Sequence, residues 1–409
     1  MANQKKEGSV LGGMLLIAGS CIGAGMLGLP ILTGVAGFFP SLIMFSVAWI
    51  FMTMTALLLV EINTGFQRRV NLLTMVGHTL GGAGRLLSWF LYLFLFYALL
   101  VAYMSASGNH VAGFMKSILH VSLPDWLGSF FFVAVFGWLI YLGTRSVDWT
   151  NRALMFVKIA AYLCLVFSGI EYVKTENLLQ KQIEYAFFSL PILVISFGFH
   201  NMIPSLTSYL GGDVKRVKKA IIGGSFFVLV VYLIWEIIAL GILPMEGENG
   251  IFWSFGRDID AAAAIKNFLQ KKWVGIFAQL LAFFAILTSF LAQSLSLAHF
   301  LGDGMNVKHG KRENPWMCLI ALGPPLILSI VYPQLFFKAL NFAGGICAVL
   351  IFGVFPALMV WRARYKKKLA TTYHVFGGRA MLVFVLCFAL FIFFYQLSIM
   401  LGLKWFPQP

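Results

Sequence analysis

The sequence predicts an all-α polytopic membrane protein with eleven spanning helices, and three observations predict it. The chain of 409 residues is 60% apolar and only 11% charged, whereas a soluble domain carries about 25% charged residues. Apolar stretches of about 20 residues, the length that crosses a bilayer, recur along the whole chain. Two of these stretches, half a chain apart, are interrupted by glycines. The first two observations define the class of protein, and the third predicts how its helices are arranged.

A hydropathy window of about 20 residues locates the spans. They cover residues 9–37, 41–63, 85–110, 127–144, 150–172, 184–211, 219–243, 273–301, 316–331, 335–361 and 379–402. Residues 1–8 form a short polar N-terminal segment, and we expect no cleaved signal peptide because the apolar stretch that follows is far too long for one. The two longest loops, about 64–84 and 244–272, are each expected to contain a short surface helix.

The basic charge balance indicates membrane topology rather than binding to nucleic acid. Lys and Arg number 30 against 15 Asp and Glu, a net charge of +15. With the N-terminus in the cytoplasm, most of these basic residues fall in cytoplasmic loops, as the positive-inside rule requires. An odd number of spans then places the C-terminus on the opposite side. Contact with anionic membrane lipids is sufficient to explain the basic excess, so no nucleic-acid partner is expected.

The order of the spans predicts two inverted halves. Helices 1–5, residues 9–172, and helices 6–10, residues 184–361, each begin with a glycine-broken span and each have their longest loop after the second helix. Because five is an odd number, the second half must enter the membrane inverted, as in alternating-access transporters. Helix 11, residues 379–402, is additional. The alternative is an ordinary bundle in which glycines only allow helices to approach closely.

The two broken spans predict a substrate site. Residues 18–26 read AGSCIGAGM, and residues 196–205 read SFGFHNMIPS. Unpaired backbone within a bilayer is tolerated only where protein or a water-filled cavity satisfies it. Free N–H groups at the first break suit a carboxylate, and carbonyls with a hydroxyl at the second break suit an ammonium group. The candidate substrate-binding residues are Ser20, Ile22, Gly23, Ala24, Gly25, Ser196, Phe197, Gly198 and Phe199, with the phenylalanines as walls of an apolar pocket.

At these residues the chain resembles a known family. G-x-x-I-G-A-G-M-L at 19–27, followed by Pro30, is similar to the first-helix signature of the hydroxy and aromatic amino acid permeases. S-F-G-F-H-x-x-I-P-S at 196–205 resembles their sixth-helix signature more closely still, and nearly the whole chain resembles the tyrosine-specific branch of bacterial members. One departure is Cys21, where many relatives carry Thr, so a hydroxyl is missing beside the expected site.

The resemblance implies an inner-membrane symporter of the amino acid–polyamine–organocation superfamily. Its implied fold is the leucine-transporter-type 5+5 inverted repeat plus one helix, with helices 1, 2, 6 and 7 rocking against helices 3, 4, 5, 8, 9 and 10. Its implied substrate is an aromatic amino acid, tyrosine first, with tryptophan or serine and threonine as alternatives. The implied driving force is a proton gradient, and no cofactor is expected. In a bacterial inner membrane the N-terminus is then cytoplasmic and the C-terminus periplasmic.

Ionisable residues within spans are the candidates for proton coupling or gating, because they are costly in a bilayer. Lys158 lies in helix 5, where a buried amine can release its proton near neutral pH; the alternative is a side chain that snorkels to the interface. His200 lies at the helix 6 break and titrates near physiological pH, or else caps free backbone groups. Glu236 lies in helix 7. Polar residues expected either at the cavity or in interhelical hydrogen bonds are Ser289, Gln293, Ser294 and Asn341.

Other classes of protein receive little support from the sequence. A channel needs a continuous pore, commonly lined by rings of charges or carbonyls, and an intramembrane enzyme needs a nucleophile or metal constellation. Neither pattern is present, nor is a G-x-x-x-x-G-K-[ST] phosphate loop that would indicate ATP-driven transport. No metal-ligand spacing occurs. The five cysteines all fall within predicted spans, so we expect reduced core residues and no disulfides.

Overall fold

A computed structural model describes residues 8–66, 70–120, 122–305, 307, 312–369, 371–403 and 405–409, with the side chains of 114 and 116–119 left out of the description. Within these ranges the chain is helical and contains no named strand. A single antiparallel bridge joins Gly37 to Lys181.

The α-helices are numbered in chain order. They are α1 Val10–Cys21, α2 Gly25–Gly34, α3 Phe38–Thr64, α4 Leu72–Leu80, α5 Gly82–Leu119, α6 Asp125–Tyr141, α7 Thr144–Gly169, α8 Thr175–Leu179, α9 Leu190–Ser196, α10 Ile203–Tyr209, α11 Val214–Ile242, α12 Ile251–Gly256, α13 Ala261–Leu269, α14 Lys272–Gly304, α15 Pro315–Val331, α16 Phe336–Phe342, α17 Phe355–Arg362 and α18 Gly378–Met400. Short 3₁₀ turns and wider π-helical segments extend them at Ile170–Tyr172, Ile183–Ser189, His200–Met202, Ala343–Val354 and Ala363–Lys367.

The described residues contain eight helical spans that are long and apolar enough to cross a membrane. Helices α1 and α2 pass the same test together as a ninth, a pair bent by 65° at a short break. At the predicted fourth and ninth positions lie α6 and α15, which are apolar but only 17 residues long. Every predicted span therefore corresponds to an apolar helix or helix group, while the count of eleven crossings stays a prediction.

Several predicted boundaries are wrong by a few residues. Helix α5 begins at Gly82 rather than at residue 85, and α7 begins at Thr144 rather than at residue 150. Both helices begin directly after a glycine with positive φ, 87° at Gly81 and 96° at Gly143. A hydropathy window reports where apolar residues end, whereas backbone hydrogen bonding continues through polar residues beyond the bilayer.

The two surface helices expected in the long loops are present. Helix α4 begins after Asn71, whose side chain accepts the Thr74 N–H, and α13 begins after Asp260, whose side chain accepts two backbone N–H groups. Asn and Asp are favoured at this position because they satisfy donors that have no partner within the helix. Helix α12 lies between α11 and α13 in the second loop.

Close helix packing brings the broken spans to the centre of the molecule. Helix α1 packs on α11, α2 on α9 and α11, and α9 on the π-helical segment Ala343–Val354. This last contact is so tight that a Cβ atom at Gly344 would lie 1.8 Å from the Pro191 carbonyl oxygen. Only glycine allows the two backbones to approach so closely, as small residues do in membrane helix packing.

Candidate substrate site

The break in the first span follows from glycine at position 23. Helix α1 ends at Cys21, α2 begins at Gly25, and Ile22 has a non-helical ψ of 84°. A Cβ atom on Gly23 would lie 2.4 Å from the Ser289 Oγ atom of α14, so any side chain there would displace the Ser289 hydroxyl. The Ala24 N–H, which the break releases, donates to that same Ser289 hydroxyl over 2.9 Å. An interhelical hydrogen bond therefore occupies one of the donors expected at this break.

The break in the sixth span lies where the sequence predicts it. Helix α9 ends at Ser196 and regular helix does not resume until His200, so Phe197, Gly198 and Phe199 interrupt it. A Cβ atom on Gly198 would lie 2.8 Å from the Ile195 carbonyl oxygen. Glycine is therefore required at 198 because the chain turns back close to its own helix end.

The two breaks meet through a residue of α11. The Tyr232 hydroxyl lies 2.7 Å from the Cys21 carbonyl oxygen and 2.9 Å from the Ser196 carbonyl oxygen. The Ser196 Oγ atom lies beside Gly25, 3.3 Å from where a Cβ atom would stand. That Oγ atom is buried and has no hydrogen-bond partner among the described residues. A buried polar atom without a partner is costly, so this hydroxyl marks a position where a polar ligand would be stabilised.

Lys158 reaches the first break from α7. Its Nζ atom donates to the Ile22 carbonyl oxygen over 2.6 Å and to the Thr288 Oγ1 atom over 3.3 Å. The side chain is 2% exposed, so it points into the protein and the snorkelling alternative is wrong. The carbonyl that it binds belongs to the C-terminal end of α1, where the helix dipole favours a cation.

His200 contacts side chains rather than the backbone groups that the alternative assigned to it. Its Nε2 atom lies 2.9 Å from the Thr55 Oγ1 atom, and its ring stacks on Phe352 at 4.8 Å between centroids. The Thr55 hydroxyl also lies 3.1 Å from the Met52 carbonyl oxygen. The Nδ1 atom is buried with no partner in the described part of the chain.

Glu236 connects α11 to α2, the second half of the first broken span. One carboxyl oxygen contacts the Thr33 hydroxyl, and the other is buried without a partner within the described ranges. One residue earlier, the Trp235 Nε1–H donates to the Met26 carbonyl oxygen over 2.9 Å. Tyr232, Trp235 and Glu236 are spaced i, i+3 and i+4, so they lie on one face of α11. That face holds both halves of the broken first span.

The remaining candidates are distributed unevenly around this centre. Ser20 is exposed, so it does not join the buried contacts. Phe197 packs edge-on against Tyr232 at 5.3 Å, and Phe199 lies beside the His200 ring at 5.3 Å. Two of the polar residues expected at the cavity or between helices, Ser294 and Asn341, have a buried oxygen, Oγ and Oδ1 respectively, without a partner in the described part of the chain.

Sequence reasoning missed Tyr232, Thr288 and Tyr103 as members of the site. Tyr103 of α5 is buried, and its hydroxyl lies beside the Ser289 hydroxyl. Tyr232 could have been found from its spacing, since it precedes the intramembrane Glu236 by one helical turn. Thr288 and Tyr103 give no comparable signal, because their role comes only from helices that pack against the break.

A water-accessible cavity of about 960 Å³ opens at the end of the molecule where α5, α13 and α16 meet. Asp260 caps α13 and pairs with His110 over 2.9 Å, and Asp258 accepts the Phe336 and Phe337 N–H groups at the start of α16. Burial opposes ionisation of Asp260, but the His110 charge and the hydrogen bonds outweigh it and lower its pKa. Burial raises the pKa of Asp258 despite those backbone bonds.

Two interrupted spans that meet within an all-α polytopic bundle define a membrane transporter of the leucine-transporter fold type. The chain belongs to the tryptophan/tyrosine permease family, because the sequence profile of that family matches residues 6–396. It is therefore a permease and not an enzyme.

Individual comparisons agree with this assignment. The chain is 31% identical over 385 residues to tyrosine-specific transport system 1 of Haemophilus influenzae, covering 92% of this chain and 93% of that one. It is 29% identical over 418 residues to the tryptophan-specific transport protein of the same organism, covering 99% of each. The crystal structure of MhsT in complex with L-phenylalanine superposes with a TM-score of 0.63 at 12% identity, covering 98% of this chain and 100% of that chain. This likeness bears out the fold class.

Proposed function

We propose that this chain is a secondary active transporter that imports an aromatic amino acid, tyrosine, together with protons across a bacterial inner membrane. The observation that carries the proposal is the meeting of the two breaks, where the Cys21 and Ser196 carbonyls share one Tyr232 hydroxyl and the Ser196 Oγ atom is left without a partner among the described residues. Bare main-chain groups of both signs at one buried point suit a zwitterion.

The substrate carboxylate is assigned to the N–H groups of Gly23, Ala24 and Gly25, and not to that of Ile22, which already donates to the Ala18 carbonyl oxygen. These groups begin α2, whose positive dipole end favours an anion. The Ser289 hydroxyl that accepts the Ala24 N–H is close enough to donate to the same carboxylate. The substrate ammonium is assigned to the carbonyls near Ser196–Gly198 and to the free Ser196 hydroxyl. The side chain then lies among α5, α9, α14 and the π-helical segment 343–354.

Proton coupling is assigned to Lys158. As an ammonium it makes a charge-assisted bond to Ile22, which is roughly twice as strong as a neutral bond. Loss of the proton weakens the hold on the first break, so protonation and the conformation of the substrate site are linked. His200 and Glu236 are the alternative proton carriers, because each is buried and keeps one polar atom without a partner within the described residues.

Transport proceeds by alternating access in this proposal. The moving bundle comprises α1–α3 and α9–α11, and the scaffold comprises α5–α7 and α14–α17 with their π-helical extensions. Each set takes helices from both proposed inverted repeats, residues 9–172 and 184–361, and residues 379–402 are additional. The N-terminus is cytoplasmic and the C-terminus periplasmic, following the distribution of Lys and Arg. The cavity of about 960 Å³ is then the periplasmic entrance.

Tyrosine is preferred over tryptophan because two tyrosine-specific relatives from Haemophilus influenzae match this chain at 31% and 30% identity. Tryptophan is the second candidate, because the tryptophan-specific relative matches at 29% over nearly the full length of both chains. Both substrates are aromatic zwitterions and place the same demands on the two breaks. They differ in the group at the far end of the ring, a hydroxyl or an indole N–H.

Uptake by the purified chain in proteoliposomes tests the proposal. Labelled tyrosine is supplied with an inward pH gradient, and each unlabelled amino acid is added as competitor. We expect saturable uptake that collapses with a protonophore and that tyrosine inhibits most strongly. Stronger inhibition by tryptophan would reverse the order of substrates, uptake that follows a sodium gradient alone would refute proton coupling, and uptake that does not saturate would indicate a channel.

A further inference from the structure

A short segment between the tenth span and α18 contacts three helices, on the side of the molecule where the N-terminus also lies. Residues 371–375 lie between the end of the tenth span and the start of α18. The N-terminal segment lies on the same side, because Gly8 contacts Tyr209 and Arg216. Arg216 is at the start of α11, two residues before Lys218, which contacts Tyr373 of this segment. The cavity of about 960 Å³ opens at the other end of the same helices. We name residues 371–375 the inner strap.

The centre of these contacts is Glu61, near the end of α3. Arg364 donates to its carboxylate with two nitrogens, over 2.6 and 2.5 Å. The Val375 N–H of the strap donates to the same carboxylate over 2.7 Å, and the His374 Nδ1 atom lies 3.3 Å from it. Arg364 also donates to the Val375 carbonyl oxygen over 2.8 Å. The Glu61 side chain is 1% exposed and Val375 is buried, so the carboxylate is enclosed between Arg364 and the end of the strap.

A second contact joins the strap to α11. The Lys218 Nζ atom lies 4.8 Å from the centre of the Tyr373 ring, a cation–π contact. The strap therefore touches α3 through Glu61, α11 through Lys218 and the end of the tenth span through Arg364. The first two helices belong to the proposed moving bundle, and the last belongs to the proposed scaffold.

We infer that the inner strap closes the N-terminal side of the transporter and that Glu61 is the positioning residue that holds it closed. The inference rests on the proposed alternating access. Rocking of the bundle against the scaffold separates α3 and α11 from Arg364, and hydrogen bonds of 2.5–2.8 Å do not survive such a movement. Separating a buried carboxylate from its guanidinium leaves an uncompensated charge and is strongly unfavourable. The contacts of the strap therefore break together, when water enters and solvates both charges.

Thiol labelling of Cys21 tests the strap in the full-length chain. Cys21 is buried at the first break and becomes accessible when the N-terminal side opens. A water-soluble maleimide is admitted only to the liposome face that carries an N-terminal tag, and mass spectrometry of the Cys21 peptide gives the rate. We expect Glu61→Gln and Tyr373→Ala each to raise this rate at least about fivefold, a shift of about 1 kcal/mol in the closed-to-open equilibrium.

Two controls separate the strap from general damage. Asp148→Asn removes one partner of the exposed Asp148–Arg152 pair on α7 and should leave the rate unchanged. Tyr373→Phe keeps the ring over Lys218 and should restore the wild-type rate, which loss of folding would not allow. Unchanged labelling in both Glu61→Gln and Tyr373→Ala, with unfolding temperatures equal to that of the wild type, would overturn the strap. If the wild type labels normally but takes up no aromatic amino acid, the proposed function fails while the labelling still decides the strap.

Discussion

The Nζ atom of Lys158 lies 2.6 Å from the carbonyl oxygen of Ile22, so a basic side chain from α7 holds the first of the two broken spans. The carbonyl groups at the end of α1 have no helical partners beyond the break. The negative end of the α1 dipole stabilises a positive charge at this point. Lys158 thus contributes a structural bond and the charge that the proposed coupling uses.

Replacing Lys158 with alanine is expected to reduce accumulation driven by a pH gradient. Removal of a charge-assisted hydrogen bond costs about 1.5–3 kcal/mol, and each 1.4 kcal/mol is a factor of ten, so uptake should fall roughly 10- to 100-fold. Uptake in proteoliposomes with and without a pH gradient is the measurement. Lys174→Ala, at an exposed position outside α7, is the matched control. Normal proton-driven accumulation by the Lys158 variant would remove Lys158 from the mechanism.

Replacing Tyr232 with phenylalanine is expected to loosen the contact between the breaks. The change leaves the Cys21 and Ser196 carbonyls without their hydroxyl donor, at a cost of about 1–3 kcal/mol. Substrate affinity should fall more than the unfolding temperature, because the Ser196 carbonyl lies at the proposed ammonium site and the Cys21 carbonyl lies at the first break. Equilibrium binding and thermal unfolding of the same preparation make this comparison. Tyr162→Phe, which removes a hydroxyl bonded to the Val231 carbonyl on the same helix, should lower stability without a selective loss of binding.

A methyl group at position 23 is expected to collide with Ser289. The Cβ atom would lie 2.4 Å from the Ser289 Oγ atom, so Gly23→Ala should lower both substrate affinity and stability. Ser289→Ala removes that oxygen and should recover part of the loss. A double-mutant cycle on the unfolding free energy measures the coupling, which we expect at about 0.5–3 kcal/mol. Gly323→Ala, where a Cβ atom meets nothing within 4 Å, should be close to neutral, and additive effects at positions 23 and 289 would contradict the contact.

The His110–Asp260 pair is expected to make stability depend on pH in the acid range. The folded pKa of Asp260 lies below its ordinary value of 3.8, so its contribution is complete above that value and is lost as the pH falls through the folded pKa. Thermal unfolding in detergent is measured from about pH 5 downwards for the wild type and Asp260→Asn. The difference between the two should shrink as the pH falls. His110→Gln, which removes the neighbouring charge, should move this loss to higher pH; a difference constant across the range would show that Asp260 ionisation contributes nothing.

The sequence by itself determined the class of protein and the places where its helices break. Hydropathy locates spans because a bilayer requires about 20 apolar residues per crossing. Gly23 and Gly198 stand out in the sequence because a helix in lipid rarely tolerates such clusters without a reason. In the structure a Cβ atom would collide with the Ser289 hydroxyl at position 23 and with the Ile195 carbonyl oxygen at position 198. The family followed from the same two segments, since their residues are determined by local backbone geometry that a single stretch of chain can encode.

Only the tertiary structure decided which groups meet at the breaks. Tyr232 binds Cys21 from 211 positions away in the chain, and Lys158 binds Ile22 from 136 positions away. No local pattern records such pairs, because helix packing angles and glycine contacts between distant segments determine them. The inner strap is a further case. Glu61, Lys218, Arg364 and Tyr373 lie on separate parts of the chain, and they come together only because α3, α11 and the tenth span each have an end on the same side of the molecule.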